Sequence, residues 1–411
     1  MTKPSPDPAS ELPGLLGLPE FPVTRPDSCP LDPDETYARL RAHAPVSPVR
    51  CPAGMDAWLV SRYEDIRSVL TDPRLSSRGA GSMHMLPSYD RRDPAPGSMI
   101  QLDGEEHARL RRLLIGEFTV RRMEALRPSV QRITDRHVDA MLAGSSADLV
   151  RDFALPIPSL VICELLGVPY DDHESFQHDS EVLIGFGADA ATRDAATRRL
   201  EGYLGELIVR RRAEPRDDLL SRLIVRGEAT EHPPTIGELA TLGVLLLVAG
   251  HESTANMIAL SALVLMADRE RVAALRAAPD TIGTAVEELL RYLSVIQFGL
   301  LRYATEGVTV GGTAVAAGSW LVAAIPSGNR DEDVFPAPDT ADLRRPPRTH
   351  LAFGFGPHQC IGQQLARIEL QVALTTLLRR VPGLRLAEPL AQSAFKHNDI
   401  VFGLRSMPVL W

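Results

Sequence analysis

Cysteine is scarce in this chain of 411 residues, with four in all. Cys29, Cys51, Cys163 and Cys360 show no paired spacing. That excludes a disulfide framework or a zinc site of cysteine pairs, and it fits a reducing cytosol. Long hydrophobic runs are missing as well. The longest apolar stretches, 241–250 and 257–267, fall short of the roughly 18 residues that span a bilayer. No basic segment followed by an apolar one opens the sequence, which speaks against a secretory signal. Positive charge is not in excess either: the formal net charge of −9 argues against nucleic acid as a partner. No dinucleotide fingerprint follows a strand, because Gly79-Ala80-Gly81 lacks both the third glycine and a βαβ setting. Internal repeats and low-complexity linkers are absent. The expectation is a soluble, cytoplasmic monomer that binds neither membrane nor nucleic acid.

The composition is that of a globular protein, 44% hydrophobic and 24% charged. Residues 1–30, rich in proline and polar groups, read as an extended arm, and 31–411 as a single domain. Apolar residues recur at i, i+3 and i+4 over 33–43, 61–70, 105–118, 122–143, 157–166, 194–212 and 236–269, which predicts helices there. Strand signals are short: 57–61, and a hairpin of 308–310 with 313–315 across Gly311-Gly312.

The richest segment runs Phe353-Gly354-Phe355-Gly356-Pro357-His358-Gln359-Cys360-Ile361-Gly362 and leads into the helix-forming run 363–370. A cysteine in a glycine-punctuated loop at a helix start suits a thiolate on a metal. Unpaired backbone N–H groups at such a terminus stabilise the anion, and glycine lets several of them turn toward the sulfur. The plain alternative is a buried free cysteine. The segment resembles the haem-binding signature of the cytochrome P-450 family, Phe-x-x-Gly-x-x-x-Cys-x-Gly, matched by Phe353, Gly356, Cys360 and Gly362.

The resemblance runs from about residue 30 to Trp411. It implies a mainly α fold with small β-sheets, and haem b held between a long central helix and the helix after the cysteine. Cys360 would be the axial iron ligand, favouring O–O cleavage, with Phe353, Gly354, Gly362 and Ala249 against the cofactor. It further implies His107, Arg111, Arg302 and His358 as charge-assisted donors to the two propionates.

Ala249-Gly250-His251-Glu252-Ser253-Thr254 places polar groups in the middle of a long apolar helix, which is costly unless something uses them. Gly250 lowers helix propensity and a Ser253 hydroxyl can bond the carbonyl one turn back. A local break leaving room for O2 and water is therefore expected. The stretch resembles the family's oxygen-activation motif. Glu252 takes the acidic, proton-relaying place and Ser253 stands where threonine is usual, without the γ-methyl that fixes its rotamer. Thr254 follows, rotated by about 100° around the helix.

Glu288 and Arg291, three apart on one helix face, resemble the family's structural Glu-x-x-Arg pair. The arginine that usually completes that network is missing from Asp339-Thr340-Ala341-Asp342, which leaves Arg344 or Arg345 to replace it. By the same resemblance the substrate cavity draws on Met85, Leu86, Phe186, Leu245, Val248, Val295, Ile296, Phe298 and Phe402, an apolar set suited to a bulky hydrophobic molecule.

The function implied is a monooxygenase that activates O2 and hydroxylates or epoxidises such a molecule, for example a macrolide, terpenoid or steroid-like compound. Electrons would come from ferredoxin and ferredoxin reductase, docked by charge on Arg109, Arg112, Arg122, Arg379 and Arg380. Oxidative coupling or rearrangement, and a non-catalytic haem sensor, are the alternatives.

Overall fold

The computed structural model describes residues 21, 25–26, 29–51, 56–78, 94–169, 173–184, 188–391, 394–397 and 399–411. Its helices are α1 (Thr36–His43), α2 (Tyr63–Thr71), α3 (Gly104–Ile115), α4 (Val120–Ala125), α5 (Arg127–Leu142), α6 (Pro156–Leu166), α7 (His173–Ile184), α8 (Ala190–Ala213), α9 (Leu219–Glu228), α10 (Ile236–Met266), α11 (Arg269–Ala277), α12 (Ile282–Leu293), α13 (Ile325–Gly328) and α14 (Gln363–Arg380). The strands are β1 (Val46–Arg50), β2 (Asp56–Val60), β3 (Leu75–Ser76), β4 (Ser146–Asp148), β5 (Leu300–Ala304), β6 (Val308–Val310), β7 (Thr313–Val315), β8 (Trp320–Ala323), β9 (Arg385–Leu386) and β10 (Pro408–Leu410).

A mainly helical body thus carries small sheets, as expected. One sheet has the order β1-β2-β8-β5-β3, a second β4-β10-β9, and β6-β7 form a hairpin. That hairpin turns on Gly311 (φ 55°) and Gly312 (φ 83°), left-handed values that a two-residue turn demands. In the first sheet only β2 and β8 run parallel.

The axis of the core is α10. Thr235 caps it, accepting from the Glu238 N–H at 3.1 Å while the Glu238 carboxylate accepts from the Thr235 N–H at 2.8 Å. The helices α6, α8, α12 and α14 pack around it. By length and composition α10 can cross a membrane, but 67% of its apolar stretch is buried inside the protein. It is a core helix made long by joining two apolar runs through polar residues.

Several boundaries differ from the sequence expectation. The helix expected over 122–143 is two helices, because Pro128 lies in the first turn of α5, where its missing N–H costs nothing. The helix expected to reach 269 stops at Met266. Asp268 then caps α11, its carboxylate accepting from the Glu270 and Arg271 N–H groups. The arm is not separate from the body: Phe21 is 1% and Arg25 6% exposed, and the Phe21 N–H donates to the Arg50 carbonyl at 2.8 Å.

Candidate functional site

The cysteine loop is held by its own backbone. The Cys360 N–H donates to the Phe353 carbonyl at 2.9 Å and the Gly354 N–H to Leu351 at 2.8 Å. Gly356 is the position that only glycine fits: its φ is +76°, and a Cβ there would lie 2.8 Å from the Leu70 carbonyl. Gly362 caps α14, while the Arg367 guanidinium lies 4.5 Å over the Phe353 ring. Cys360 itself is exposed. Although its surface is reached by solvent, the sulfur sits deep among protein atoms. The poorer solvation there pushes the thiol up, against the Gly362 and Gln363 N–H groups and the Arg111 and Arg367 charges, which favour the thiolate. A metal at the sulfur would settle that contest in favour of the anion.

Above the loop, the four expected propionate donors come together. The rings of His107 and His358 have centroids 4.1 Å apart. The Arg111 guanidinium donates to the Gln359 carbonyl at 2.6 Å. Arg302 is 6% exposed, and among the described residues its guanidinium donates to the Leu301 carbonyl alone, at 2.8 Å. Burial holds the Arg302 pKa down to about 10. Burial, helped by His358 and Arg111, pushes His107 down to about 4, and its buried Nε2 has no hydrogen-bond partner among the described residues. The cluster is therefore rich in unmet donors and poor in anions. Among the described residues its carboxylate is Asp103, which lies 3.5 Å from His358 Nε2 and accepts from the Ser77 N–H at 3.0 Å. Two propionates are the kind of charge such a set fits.

The opposite wall is α10. Within a helix that is otherwise largely buried, Leu245, Val248, Ala249 and Ser253 remain accessible, a stripe at helical spacing. The Ser253 hydroxyl donates to the Ala249 carbonyl at 3.0 Å, as expected. The expected break is absent, because α10 runs continuously through this point. Gly250 answers a packing need instead: a Cβ there would sit 3.2 Å from Ile162 of α6. Thr254 is buried and off the accessible stripe that Ser253 shares.

Glu252 is 5% exposed and does not stand alone. Its carboxylate accepts from Lys396 Nζ and from Asn256 Nδ2, the latter at 2.9 Å. Burial alone would push this carboxyl up, but Lys396, His251 and Asn256 outweigh it and hold it below its ordinary value. Neither Lys396 nor Asn256 was read from the motifs. A signal existed: of 44 lysines and arginines only Lys3 and Lys396 are lysine.

Glu288 and Arg291 pair at 2.8 Å and are both buried. Of the two replacements weighed for the missing arginine, the structure uses Arg345. Its Nε lies 3.0 Å from Glu288 Oε2, and its fork bonds the Pro336, Ala337 and Thr340 carbonyls. Arg344 is exposed.

Of the cavity residues, Met85, Leu86 and Phe186 lie outside the described residues. Leu245, Val248 and Ile296 are accessible. Val295, Phe298 and Phe402 are not, at 7%, 3% and 0% exposure; Phe402 is enclosed by Phe395 and Arg25. These three offer a ligand little or no accessible surface. The basic docking cluster is largely neutralised from within. Arg109 pairs with Glu238, Arg112 with Glu105, Arg122 with Glu117, and Arg380 with Asp135 and Asp139.

A cysteine thiol at a helix start, a donor cluster for two carboxylates and an accessible strip of a central helix define a haem-thiolate protein. The comparisons agree. The Cytochrome P450 family model matches residues 52–381. The chain is 46% identical over 393 residues to Cytochrome P450-SU2 of Streptomyces griseolus, covering 95% of this chain and 96% of that protein. It is 44% identical over 396 residues to Pentalenic acid synthase of Streptomyces avermitilis (95% and 97% covered). A crystal structure of CYP105P1 in complex with filipin I superposes with a TM-score of 0.90 at 43% identity, over 96% of this chain and 99% of the other. The chain belongs to the cytochrome P450 family. It is a monooxygenase with haem iron as cofactor, and its reaction draws on O2, a small-molecule substrate and redox partner proteins.

Proposed function

We propose that this P450 hydroxylates or epoxidises a bulky hydrophobic natural product of the macrolide, terpenoid or steroid-like kind. The observation that carries the reading is the apolar character of the accessible wall, Leu245, Val248, Ala249 and Ile296. These four side chains carry no charge, so the surface they form accepts an apolar ligand and orients it by shape. Relatives support the substrate class: one is named Vitamin D3 dihydroxylase, and another is crystallised with filipin I.

When bound, the haem supplies the oxygen chemistry, with Cys360 as its iron ligand. His107, Arg111, Arg302 and His358 hold its propionates, and Phe353, Gly354, Gly362 and Ala249 border it. The protein's own residues handle protons and water. Glu252, ionised between Lys396 and Asn256, acts as a relay: it takes up a proton supplied from solvent and releases it toward the Ser253 hydroxyl, which rests on the Ala249 carbonyl until a better acceptor arrives. Electrons come from ferredoxin and its reductase. Arg121 and Arg379 are exposed and carry no ion pair among the described residues, which leaves them open to an acidic surface.

Two measurements test this. The reduced protein with CO reports thiolate against imidazole ligation, and an imidazole-type spectrum would end the reading. A library of hydrophobic compounds screened for a low-to-high-spin shift should return macrolide, terpenoid or steroid-like hits. Exclusive response to small polar or charged compounds would refute the substrate class.

A further inference from the structure

Arg25 lies in the part of the sequence that composition assigns to a solvated arm, yet it is buried at 6% exposure. Its guanidinium donates to three carbonyls: Leu31 at 2.8 Å, Leu293 at 3.0 Å and Ser294 at 3.3 Å. The last two end α12, so a cation sits on the negative end of that helix and satisfies carbonyls left without helical partners. The same guanidinium lies 4.0 Å from the centre of the Phe402 ring. Burial, with Arg330 nearby, pushes its pKa down to about 10, which leaves it charged at neutral pH. A planar fork that bonds and stacks at once is a task for arginine that lysine does not match.

The two segments that Arg25 joins are the ones that meet at the cavity wall. Ser294 is held in the left-handed region at φ 42°, and the chain turns there from α12 into Val295 and Ile296. The Val295 carbonyl accepts from the Phe402 N–H at 2.8 Å, and Ile296 pairs with Val401 in an antiparallel bridge. Phe21 belongs to the same apolar cluster as Phe298, and Ile400 packs against it. Within this clasp Ile296 keeps an accessible side chain, while Val295, Phe298 and Phe402 are buried.

We infer that Arg25 is a specificity-determining positioning residue. By tying the end of α12 to the Phe402 ring, it sets how far Ile296 stands into the substrate cavity. Without it Ser294 and Phe402 are free to shift apart and the wall at Ile296 moves. A bulky ligand that presses on that wall feels the change, and a small one does not. The inference rests on the reading of Ile296 as cavity wall in a P450 monooxygenase.

The test uses the full-length, haem-loaded protein as wild type, Arg25→Ala and Arg25→Lys. Two azoles are titrated by their Soret shift: imidazole, which is small, and clotrimazole, which is bulky and apolar. Arg25→Ala should raise the clotrimazole Kd by about ten-fold and leave that of imidazole within about two-fold, the size of effect that one lost cation–π and capping contact supports. Arg25→Lys should fall between, since one ammonium replaces a three-bond fork. If Arg25→Ala takes up no haem, Arg25→Lys carries the comparison. A ratio of the two Kd values equal to that of wild type, including equal weakening of both, would show a merely structural staple and overturn the inference. The reduced CO spectrum of wild type separates the two levels. A thiolate spectrum with an unchanged ratio rejects the role of Arg25 alone, whereas an imidazole-type spectrum rejects the family reading and this inference together.

Discussion

Replacing Lys396 by methionine removes the cation from a carboxylate that is 5% exposed and leaves the aliphatic length of the side chain in place. A buried charge stripped of its partner costs about 3–5 kcal/mol if it stays ionised. Glu252 has another route, which is to take up a proton. For a carboxyl with an unfolded pKa near 4.3, neutralisation at pH 7 costs about 3.7 kcal/mol, and at pH 5.5 about 1.6 kcal/mol. The cheaper route governs, so the loss is capped near the lower figure at each pH. Lys396 keeps 16% of its side chain exposed, and water admitted there lowers the realised loss to about 2–3 kcal/mol at pH 7.

The sign follows from the direction of each shift. In the wild type Glu252 is held below its ordinary value, so the pair's stabilisation is present above the unfolded pKa and is lost as pH falls through the folded one. In Lys396→Met the folded carboxyl is raised, and the deficit grows with pH above about 4.3. Urea unfolding of the haem-loaded protein, followed by circular dichroism at pH 5.5, 7 and 8, should show the two proteins converging toward acid. Glu252→Gln in the Lys396→Met background should recover most of the loss, because an amide needs no cation. A deficit that is flat across this range, or a double variant no better than the single one, would refute the electrostatic account.

Arg345→Ala should cost about 2–3 kcal/mol in thermal unfolding and reduce the haem retained per protein, since it strips one of two cations from the buried Glu288 carboxylate; Arg344→Ala should stay within about 0.5 kcal/mol. Ser253→Thr should raise the fraction of reducing equivalents recovered in product by about two-fold, because a γ-methyl narrows the rotamers of the hydroxyl. Ser253→Ala should lower that fraction and raise peroxide release, and equal coupling in all three proteins would remove Ser253 from proton handling.

What the sequence makes legible is local. The cysteine loop is continuous, its geometry depends on glycines at fixed offsets, and the helix that receives the thiolate follows at once, so a ten-residue window carries the whole device. The hairpin at Gly311-Gly312 is legible for the same reason. The meaning of Gly250 is not, because a glycine that breaks a helix and one that admits a neighbour look alike in one dimension. Only Ile162, almost 90 residues earlier in the chain, distinguishes them. Arg345 is an intermediate case. The need for a second cation on Glu288 follows from the resemblance. The choice between two adjacent arginines depends on a turn in which Asp342 accepts from the Arg344 N–H and the Asp342 N–H donates to Glu288.

The C-terminal turn is the part least legible in the sequence, for a physical reason. Residues 395–404 join three distant pieces: Lys396 reaches Glu252 of α10, Phe402 lies under Arg25, and Gln297 donates to the Lys396, His397 and Asp399 carbonyls. None of these pairs has a spacing that a periodicity or a motif records. Gly403 shows how closely the pieces fit, for a Cβ there would collide with the Asn256 side chain, the same side chain that bonds Glu252. The described residues of this turn therefore hold both the buried Glu252 carboxylate and the strand bridge at Ile296. Composition gives one hint. A chain that uses arginine almost everywhere places its only lysine beyond Lys3 against the buried acid, where a compact ammonium with three donors fits a space that a planar fork does not.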